Sequence, residues 1–519
     1  MSLRTHGQIV LDMEGIIQVS IGQFYGIEIN DFAVTVARTA LWIAESQMMK
    51  ETEDVVHMSL DFLPLKSYAN ITEGNALRVD WETVVPLDKL DYIMGNPPFV
   101  GARMMDAAQK EDLNAVFPGW KNAGNLDYVS CWYKRAAEMM EGTTIRAALV
   151  STNSVTQGES VANLWKPLFE TGVHIDFAHR TFRWDSEAKS KAHVHCVIVG
   201  FSTAPNNKPK ILYTSDRAQI VGNINGYLLD ADNIFVESRN KPLCDVPEIG
   251  IGNKPIDGGN YLFEKEEMEA FLQKEPAAAP YFHPWYGSYE FINRCPRYCL
   301  WLGECPPHEL RRMPECLKRV EAVRQFRLAS KSAGTVNLAD MPTRFHVENM
   351  PKGNYIVIPE VSSEKRKYVP MGFMTPDILC SNLVKIVPDA TLYHFGVLTS
   401  NVHMAWMRAV CGRLKSDYRY SKDIVYNNFP WPNPTEEQRA KIEQTAQAIL
   451  DARALYPDSS LADLYDETTM PPELRKAHQE NDKAVMRAYG FDIRDTTETS
   501  CVAELMKLYQ KMAAGGVSR

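Results

Sequence analysis

The sequence predicts an α/β catalytic domain with a mainly parallel sheet, then an α+β block, then a helical C-terminal segment. Three observations predict this order. Residues 1–205 alternate short β-like runs with helical patterns. Residues from about 235 to 432 mix short strands, Gly/Pro turns and basic helices without regular alternation. Phe429-Pro-Trp-Pro-Asn-Pro434 is a hard stop to helix, and amphipathic patterns resume only after it. The expected divisions are 1–235, 236–432 and 433–519.

Each element has its own signal. Phe24-Tyr-Gly-Ile-Glu28-Ile29 is a short apolar run ending in a carboxylate. A helix follows it, with Asp31 as cap and Phe32, Val36, Ala40 and Ile43 at helical spacing. Ile71-Thr-Glu-Gly-Asn75-Ala76-Leu77 reads as a strand running into a turn. Asp91-Tyr-Ile-Met-Gly95 is a strand leading into Asn96-Pro97-Pro98-Phe99. Leu126 through Ala136 reads as a helix, Ala147 through Asn153 as a strand, and Val194 through Phe201 as the last strand before a connector at 203–210. Helices are expected over Thr435–Tyr456 and Pro472–Tyr489, the first opened by a capping box, Thr435-Glu436-Glu437-Gln438.

Composition excludes several classes. The chain has 519 residues, 45% hydrophobic and 23% charged, so it is neither collagen-like, disordered nor a disulfide scaffold. No run of eighteen apolar residues occurs, so no membrane span and no membrane partner is expected. The N-terminus has no apolar signal region, and ten scattered cysteines suit a reducing cytoplasm. Cys295, Cys299, Cys305 and Cys316 cluster around His308, but their spacing fits no zinc pattern. They read as ordinary buried or surface thiols, and no metal is expected.

Net charge is −9, yet the positive charge is local. Residues 311–331 hold seven Lys/Arg against Glu315 and Glu321. Lys365, Arg366 and Lys367 form a second cluster, and 408–422 a third, interleaved with Tyr418 and Tyr420. A single cluster is usually a solvated face. Three in one segment point to a surface that contacts phosphates. The candidate contacts are Arg324, Arg327, Lys331, Lys365, Arg366, Lys367, Arg413, Lys415, Arg419 and Lys422.

The first block carries the chemistry. A carboxylate at the carboxyl end of a strand can accept from both hydroxyls of a ribose, which singles out Glu28. In Asn96-Pro97-Pro98-Phe99, two prolines remove two backbone donors and fix φ twice. The stiff corner leaves carbonyls free beside the Asn96 oxygen. Two fixed acceptors can hold the two protons of an exocyclic amino group while Phe99 stacks on the ring.

The order of acidic strand end, Gly-Asn-Ala turn and NPPF resembles the S-adenosylmethionine-dependent N6-adenine DNA methyltransferases. That resemblance implies a class I, Rossmann-like methyltransferase sheet. It implies that Glu28 and its neighbour Ile29 bind the cofactor at its ribose, and Asn75 with Ala76 at its adenine. Asn96, Pro97, Pro98 and Phe99 hold the target adenine of double-stranded DNA, and Phe182 with Trp184 either line the flipped-base pocket or belong to the core. A match spanning most of the chain, including Gly287-Ser-Tyr-Glu-Phe-Ile-Asn293 and Gly412-Arg-Leu-Lys-Ser-Asp-Tyr-Arg-Tyr-Ser-Lys-Asp through Pro432, resembles the single-chain type IIL (Mme-type) restriction–modification enzymes. It implies a target-recognition domain after the catalytic one, which gives the basic 311–422 region its role.

The sequence departs from that pattern twice. Before the Phe24–Ile29 run there are only Gly7, Gly15 and Gly22, never as Gly-x-Gly. The sheet is therefore expected to lack its first, central strand, and the cofactor loop to lie upstream in a longer parent, so that cofactor affinity here is poor. The nuclease of the family is expected upstream too, since Glu187-Ala-Lys189 alone makes no nuclease site. Three other readings stay open: an amide or RNA methyltransferase using the same corner, a catalytically silent DNA-binding module, and, less favoured, an N4-cytosine enzyme.

Overall fold

The computed structural model describes residues 19–56, 70–184, 194–215 and 217–515. Gly7, Gly15 and the 185–189 segment lie outside them. The chain folds as two compact units.

The first unit comprises 1–151, 167–178 and 198–208. Strand β1 (Tyr25–Glu28) is followed by helix α1 (Asp31–Val56) and strand β2 (Asn70–Glu73). β1 and β2 pair in parallel, with Glu28 opposite Glu73. The cap of α1 is Asn30, not Asp31: the Asn30 Oδ1 accepts from Ala33 N at 3.0 Å. Asp31 is the first helical residue, where its charge suits the helix dipole. Helix α2 (Trp81–Val84) leads to strand β3 (Tyr92–Gly95), helices α3 (Ala107–Val116) and α4 (Ser130–Met140), and strand β4 (Arg146–Thr152). β3 and β4 are parallel, with Gly95 opposite Leu149. Helix α4 starts four residues later than the pattern suggested, because Leu126–Val129 forms a turn held by Asp127.

Helix α5 (Lys166–Glu170) and strands β5 (His174–Trp184) and β6 (Val194–Ser202) extend the sheet in the order β3-β4-β6-β5, and β7 (Lys210–Tyr213) and β8 (Ala218–Val221) continue it beyond β5 to six strands. β5 and β6 contribute residues to both units. β4 alternates buried and half-buried positions, and helix α4 buries Cys131, Tyr133, Ala136 and Met140. Tyr133 stacks on Phe201 with centroids 5.3 Å apart and meets Ser151 Oγ at 2.9 Å. Gly200 is fixed by packing: a Cβ there would lie 2.0 Å from the Phe177 ring.

The second unit holds the basic block and the C-terminal helices together. It opens with the antiparallel hairpin β7 (Lys210–Tyr213) and β8 (Ala218–Val221). Then come β9 (Gly250–Ile251), β10 (Leu262–Phe263), helix α6 (Lys265–Lys274), β11 (Phe282–Tyr286), helix α7 (Ser288–Asn293) and β12 (Arg297–Leu300). Helices α8 (Pro307–Leu310), α9 (Pro314–Leu328) and α10 (Ala333–Asn337) follow. Strands β13 (Tyr355–Pro359), β14 (Val361–Ser362), β15 (Gly372–Met374), β16 (Leu379–Cys380) and β17 (Val384–Pro388) come next, then helices α11 (Leu392–Leu398) and α12 (Asn401–Val410) and the hairpin β18 (Gly412–Leu414) and β19 (Asp417–Arg419).

Three small sheets result, ordered β10-β12-β11-β16, β15-β13-β17-β9 and β14-β19-β18. β13 is buried along its whole length between antiparallel partners, as its unbroken apolar run requires. Helix α13 (Glu436–Ala454) starts at the capping box, Gln438 N donating to Thr435 Oγ1 at 3.2 Å. Helices α14 (Leu461–Leu464), α15 (Pro472–Tyr489) and α16 (Glu498–Gly515) complete the chain, α15 with the bounds its pattern predicts. α13 and α15 pack on each other and on α11. Phe429 and Trp431, from the Pro-rich stop, are buried among Trp406, Tyr426 and Tyr489.

Candidate functional site

The carboxyl ends of the parallel strands carry the candidate residues. At the end of β1, Glu28 is half-buried and its Oε1 accepts from Asn30 N at 3.2 Å. Gly74 N donates to Glu28 O at 2.9 Å, so the ladder brings the Gly74-Asn75-Ala76 turn against the acid. Ile29 is exposed and Ala76 half-buried. These four residues do come together.

The Asn75 side chain also has partners inside the protein. Its Oδ1 accepts from Leu77 N at 2.9 Å and its Nδ2 donates to Asp112 Oδ2 at 2.9 Å. These two bonds fix the side chain in the turn, and each amide atom keeps one further hydrogen-bonding position. Asp112 is 4% exposed and also accepts from Arg78 Nε at 2.6 Å and from the Tyr128 hydroxyl at 2.8 Å. Burial works to raise its pKa, but the hydrogen bonds from Arg78, Asn75 and Tyr128 together hold it below the ordinary aspartate value. The same burial and the Asp112 partner push the Tyr128 hydroxyl far up.

At the end of β3 the corner is divided by exposure. Asn96 and Pro98 are exposed, Phe99 is half-buried and Pro97 is buried. Pro97 is the anchor, and it places the Asn96 side chain outward. Among the described residues nothing hydrogen-bonds that side chain. Behind the corner, Val100 N donates to Asp127 Oδ1 at 3.2 Å and Val100 O accepts from Tyr128 N at 3.0 Å. Sequence reading missed Asp112, Asp127 and Tyr128, because an acid on an amphipathic helix and an Asp-Tyr pair before another carry no signature of what they hold.

The expected cofactor fits in part. Glu28 and the turn beside it offer a carboxylate and backbone groups to a nucleoside, while no Gly-x-Gly precedes them in the sequence. Phe182 and Trp184 lie on β5 with centroids 6.1 Å apart, and Trp184 is 45% exposed, so it is not a core residue.

The basic candidates sort by environment. Arg327 is fully buried and donates to five backbone carbonyls: Pro255, Ile256, Leu338, Met341 and Arg344, at 2.8–3.0 Å. Its assignment to a phosphate surface is corrected. It is the internal tie that joins α9 to two loops, a use that suits a planar five-donor fork. Arg413 stacks over Tyr418 at 4.3 Å and pairs with Glu364 at 3.2 Å. Arg419 pairs with Glu360 at 2.9 Å, Lys422 with Asp423 at 3.2 Å, and Arg324 loosely with Glu321 at 3.9 Å. Arg366 is half-buried. Lys331, Lys365, Lys367 and Lys415 are exposed, and among the described residues no ion pair holds them. Cys299 and Cys316 are buried in an apolar core with Trp285 and Phe345, Cys305 packs against it and Cys295 is exposed. Among the described residues no helix is long and apolar enough to cross a membrane.

Comparison with known proteins gives a consistent result. Residues 2–214 match the family model of the MmeI DNA-methyltransferase domain, 230–433 that of the MmeI target recognition domain, and 434–515 that of the MmeI C-terminal domain. DNA methyltransferase A of Bacillus subtilis (strain 168) is 42% identical over 497 residues, covering 95% of this chain and 56% of that protein. The chain thus spans little more than half the length of this curated relative. The solved structure of the type IIL restriction–modification enzyme MmeI in complex with DNA superposes with a TM-score of 0.90 at 44% identity, covering 99% of this chain and 69% of that one. The chain therefore belongs to the MmeI-type family of type IIL restriction–modification enzymes.

Proposed function

We propose that the chain transfers a methyl group from S-adenosylmethionine to N6 of adenine in a specific duplex DNA sequence, as the modification and recognition part of a restriction–modification system. The observation that carries this reading is the outward Asn96 on a buried Pro97 at the carboxyl end of a parallel strand. The chemistry the cofactor supplies when bound is an electrophilic methyl group on a sulfonium. The Glu28 carboxylate holds its ribose hydroxyls, beside the turn that Asn75 shapes. Asn96 Oδ1 and the Pro97 carbonyl accept the two amino protons of the extruded adenine, which favours a pyramidal, more nucleophilic nitrogen. Phe99 stacks on the base. The remainder is alignment. Arg324, Lys331, Lys365, Arg366, Lys367, Arg413, Lys415, Arg419 and Lys422 contact DNA, the unpaired lysines as phosphate contacts.

The test is transfer of tritiated methyl to duplex DNA by the full-length protein, with the labelled base identified after digestion. Asn96→Ala is expected to abolish label in N6-methyladenine. Unimpaired turnover, or label in cytosine, RNA or a peptide amide, would refute the assignment.

A second observation favours the reading that this stretch alone holds cofactor weakly. Among the described residues β1 pairs only with β2, and β3 only with β4. Tyr92 and Met94 on β3, and Phe32, Val36 and Ile43 on α1, are exposed. Open ladder edges beside uncovered apolar side chains are what a sheet missing a strand leaves behind. Calorimetric titration of this chain with S-adenosylmethionine is expected to show no micromolar binding, against clear binding by the full-length protein. Micromolar binding by the chain alone contradicts this.

A further inference from the structure

The turn that faces the methyl donor and the corner that faces the acceptor follow β2 and β3, and those strands belong to different sheets. Among the described residues, therefore, no strand ladder fixes one loop against the other. A chain of side-chain hydrogen bonds does. From the donor side, Leu77 N donates to Asn75 Oδ1, Asn75 Nδ2 to Asp112 Oδ2, and the Tyr128 hydroxyl to the same Oδ2, at 2.9, 2.9 and 2.8 Å. From the acceptor side, Val100, next to Phe99, donates through its N–H to Asp127 Oδ1 at 3.2 Å and accepts from Tyr128 N at 3.0 Å. Asp127 Oδ1 also accepts from Val129 N at 3.2 Å, which fixes the carboxylate on the turn that opens α4. Two consecutive residues thus reach both loops, one through Asp112 and the other directly. Asp112, Asp127 and Tyr128 are all buried, so water does not compete for these bonds.

We infer that Asp112, Asp127 and Tyr128 form a brace that sets the separation and angle between the donor turn and the Asn96–Phe99 corner, making them positioning residues for methyl transfer. This rests on the function proposed above. In an in-line transfer a misplacement of about 1 Å costs about 100-fold. A brace of this kind acts on kcat more than on binding, because each loop still meets its own ligand. Asp127 Oδ1 accepts from two backbone N–H groups, which an asparagine Oδ1 can also do.

The experiment uses the full-length protein with Asp127→Ala, Asp127→Asn, Tyr128→Phe and the double variant Asp127→Ala/Tyr128→Phe. Asp127→Ala and Tyr128→Phe are each expected to lower kcat about 10- to 100-fold, with KM for DNA and for S-adenosylmethionine within about threefold. Asp127→Asn is expected to retain wild-type turnover. The double variant should lose little more than the worse single one, since both break one brace. An inactive Asp127→Asn would show that the charge matters and overturn a positioning role. Unchanged kcat in Asp127→Ala and Tyr128→Phe overturns it too, as does a loss that follows the fraction of folded protein in thermal melts. Amide hydrogen exchange on the same variants gives a readout without catalysis. Loss of the Tyr128 hydroxyl should speed exchange at Leu77 and at Val100 together, and a response at only one of them overturns the brace. Were the wild-type protein to transfer no methyl group to DNA, the proposed function would fail while the exchange result still decided the brace.

Discussion

Asp482 lies on α15 with its carboxyl 6% exposed, one oxygen accepting from Tyr368 at 2.6 Å and the other from Asn401 N at 2.8 Å. Burial pushes its pKa up to about 6, even though those hydrogen bonds and the nearby Lys367 and Arg408 favour the charged form. A carboxyl whose folded pKa is raised binds its proton more tightly when folded. Between the ordinary aspartate value and about 6, stability from this group therefore falls as pH rises, and the full penalty is present above that window. His403, pushed down to about 3 by burial, and His394, pushed down to about 4, act in the opposite sense: their stability is lost as pH falls. The clean measurement is thus the difference between Asp482→Asn and the parent chain. Tyr368 can turn to accept from the new amide, so the variant is expected to gain up to about 3 kcal/mol above pH 7. That gain should vanish by about pH 4 in denaturant titrations. A gain that stays constant with pH would mean the carboxyl is not carrying a desolvation penalty.

The β18–β19 hairpin concentrates strain and charge in one element. Lys415, at its tip, is exposed and holds φ at 57°, a left-handed conformation that costs a non-glycine residue about 1 kcal/mol. Arg413, on its partner strand position opposite Tyr418, is by contrast locked by stacking and by Glu364. Lys415→Asn suits the left-handed region better, so it is expected to raise the melting temperature slightly while weakening duplex binding. Weakening without any gain in stability would refute the strain, and unchanged binding would refute the DNA contact. The NPPF corner, β4, α13 and α15 were all legible because each is written in contiguous residues: a period, a cap or a rigid turn. What was not legible needs partners far apart in sequence. The bond from Asn75 to Asp112, thirty-seven positions away, carries no signal in the sequence around either residue. Arg327 looked like its neighbours Arg324 and Lys331, since a run of cations shows charge but not which of them α9 turns inward. Asn30 and Asp31 are both good caps, and only backbone geometry decides between them.

For the molecule as a whole, the proposed binding of a polyanion by a chain of net charge −9 rests on local charge. The cations of the second unit fall into two sets. Arg413, Arg419 and Lys422 are neutralised by Glu364, Glu360 and Asp423, whereas Lys365, Lys367 and Lys415 stand exposed without an ion pair among the described residues. Only cations that displace counterions from phosphates contribute to the salt dependence of binding, about 0.9 in slope for each contact. Replacing Lys365, Lys367 and Lys415 together by glutamine is therefore expected to reduce the slope of log K against log salt by up to about 3, with the same loss for cognate and unrelated duplexes. Replacing Arg413 releases Glu364, which then repels the DNA, so affinity should fall while the slope changes by less than for an exposed lysine; Glu360 keeps Lys385 at 2.7 Å when Arg419 is replaced. Arg327→Gln provides the control. It removes the donors from five buried carbonyls, so it should lower stability sharply and leave the slope of the remaining folded protein where it was. Fluorescence anisotropy from low to moderate salt separates these outcomes. An unchanged slope in the triple lysine variant would move the phosphate surface away from this face of the recognition unit.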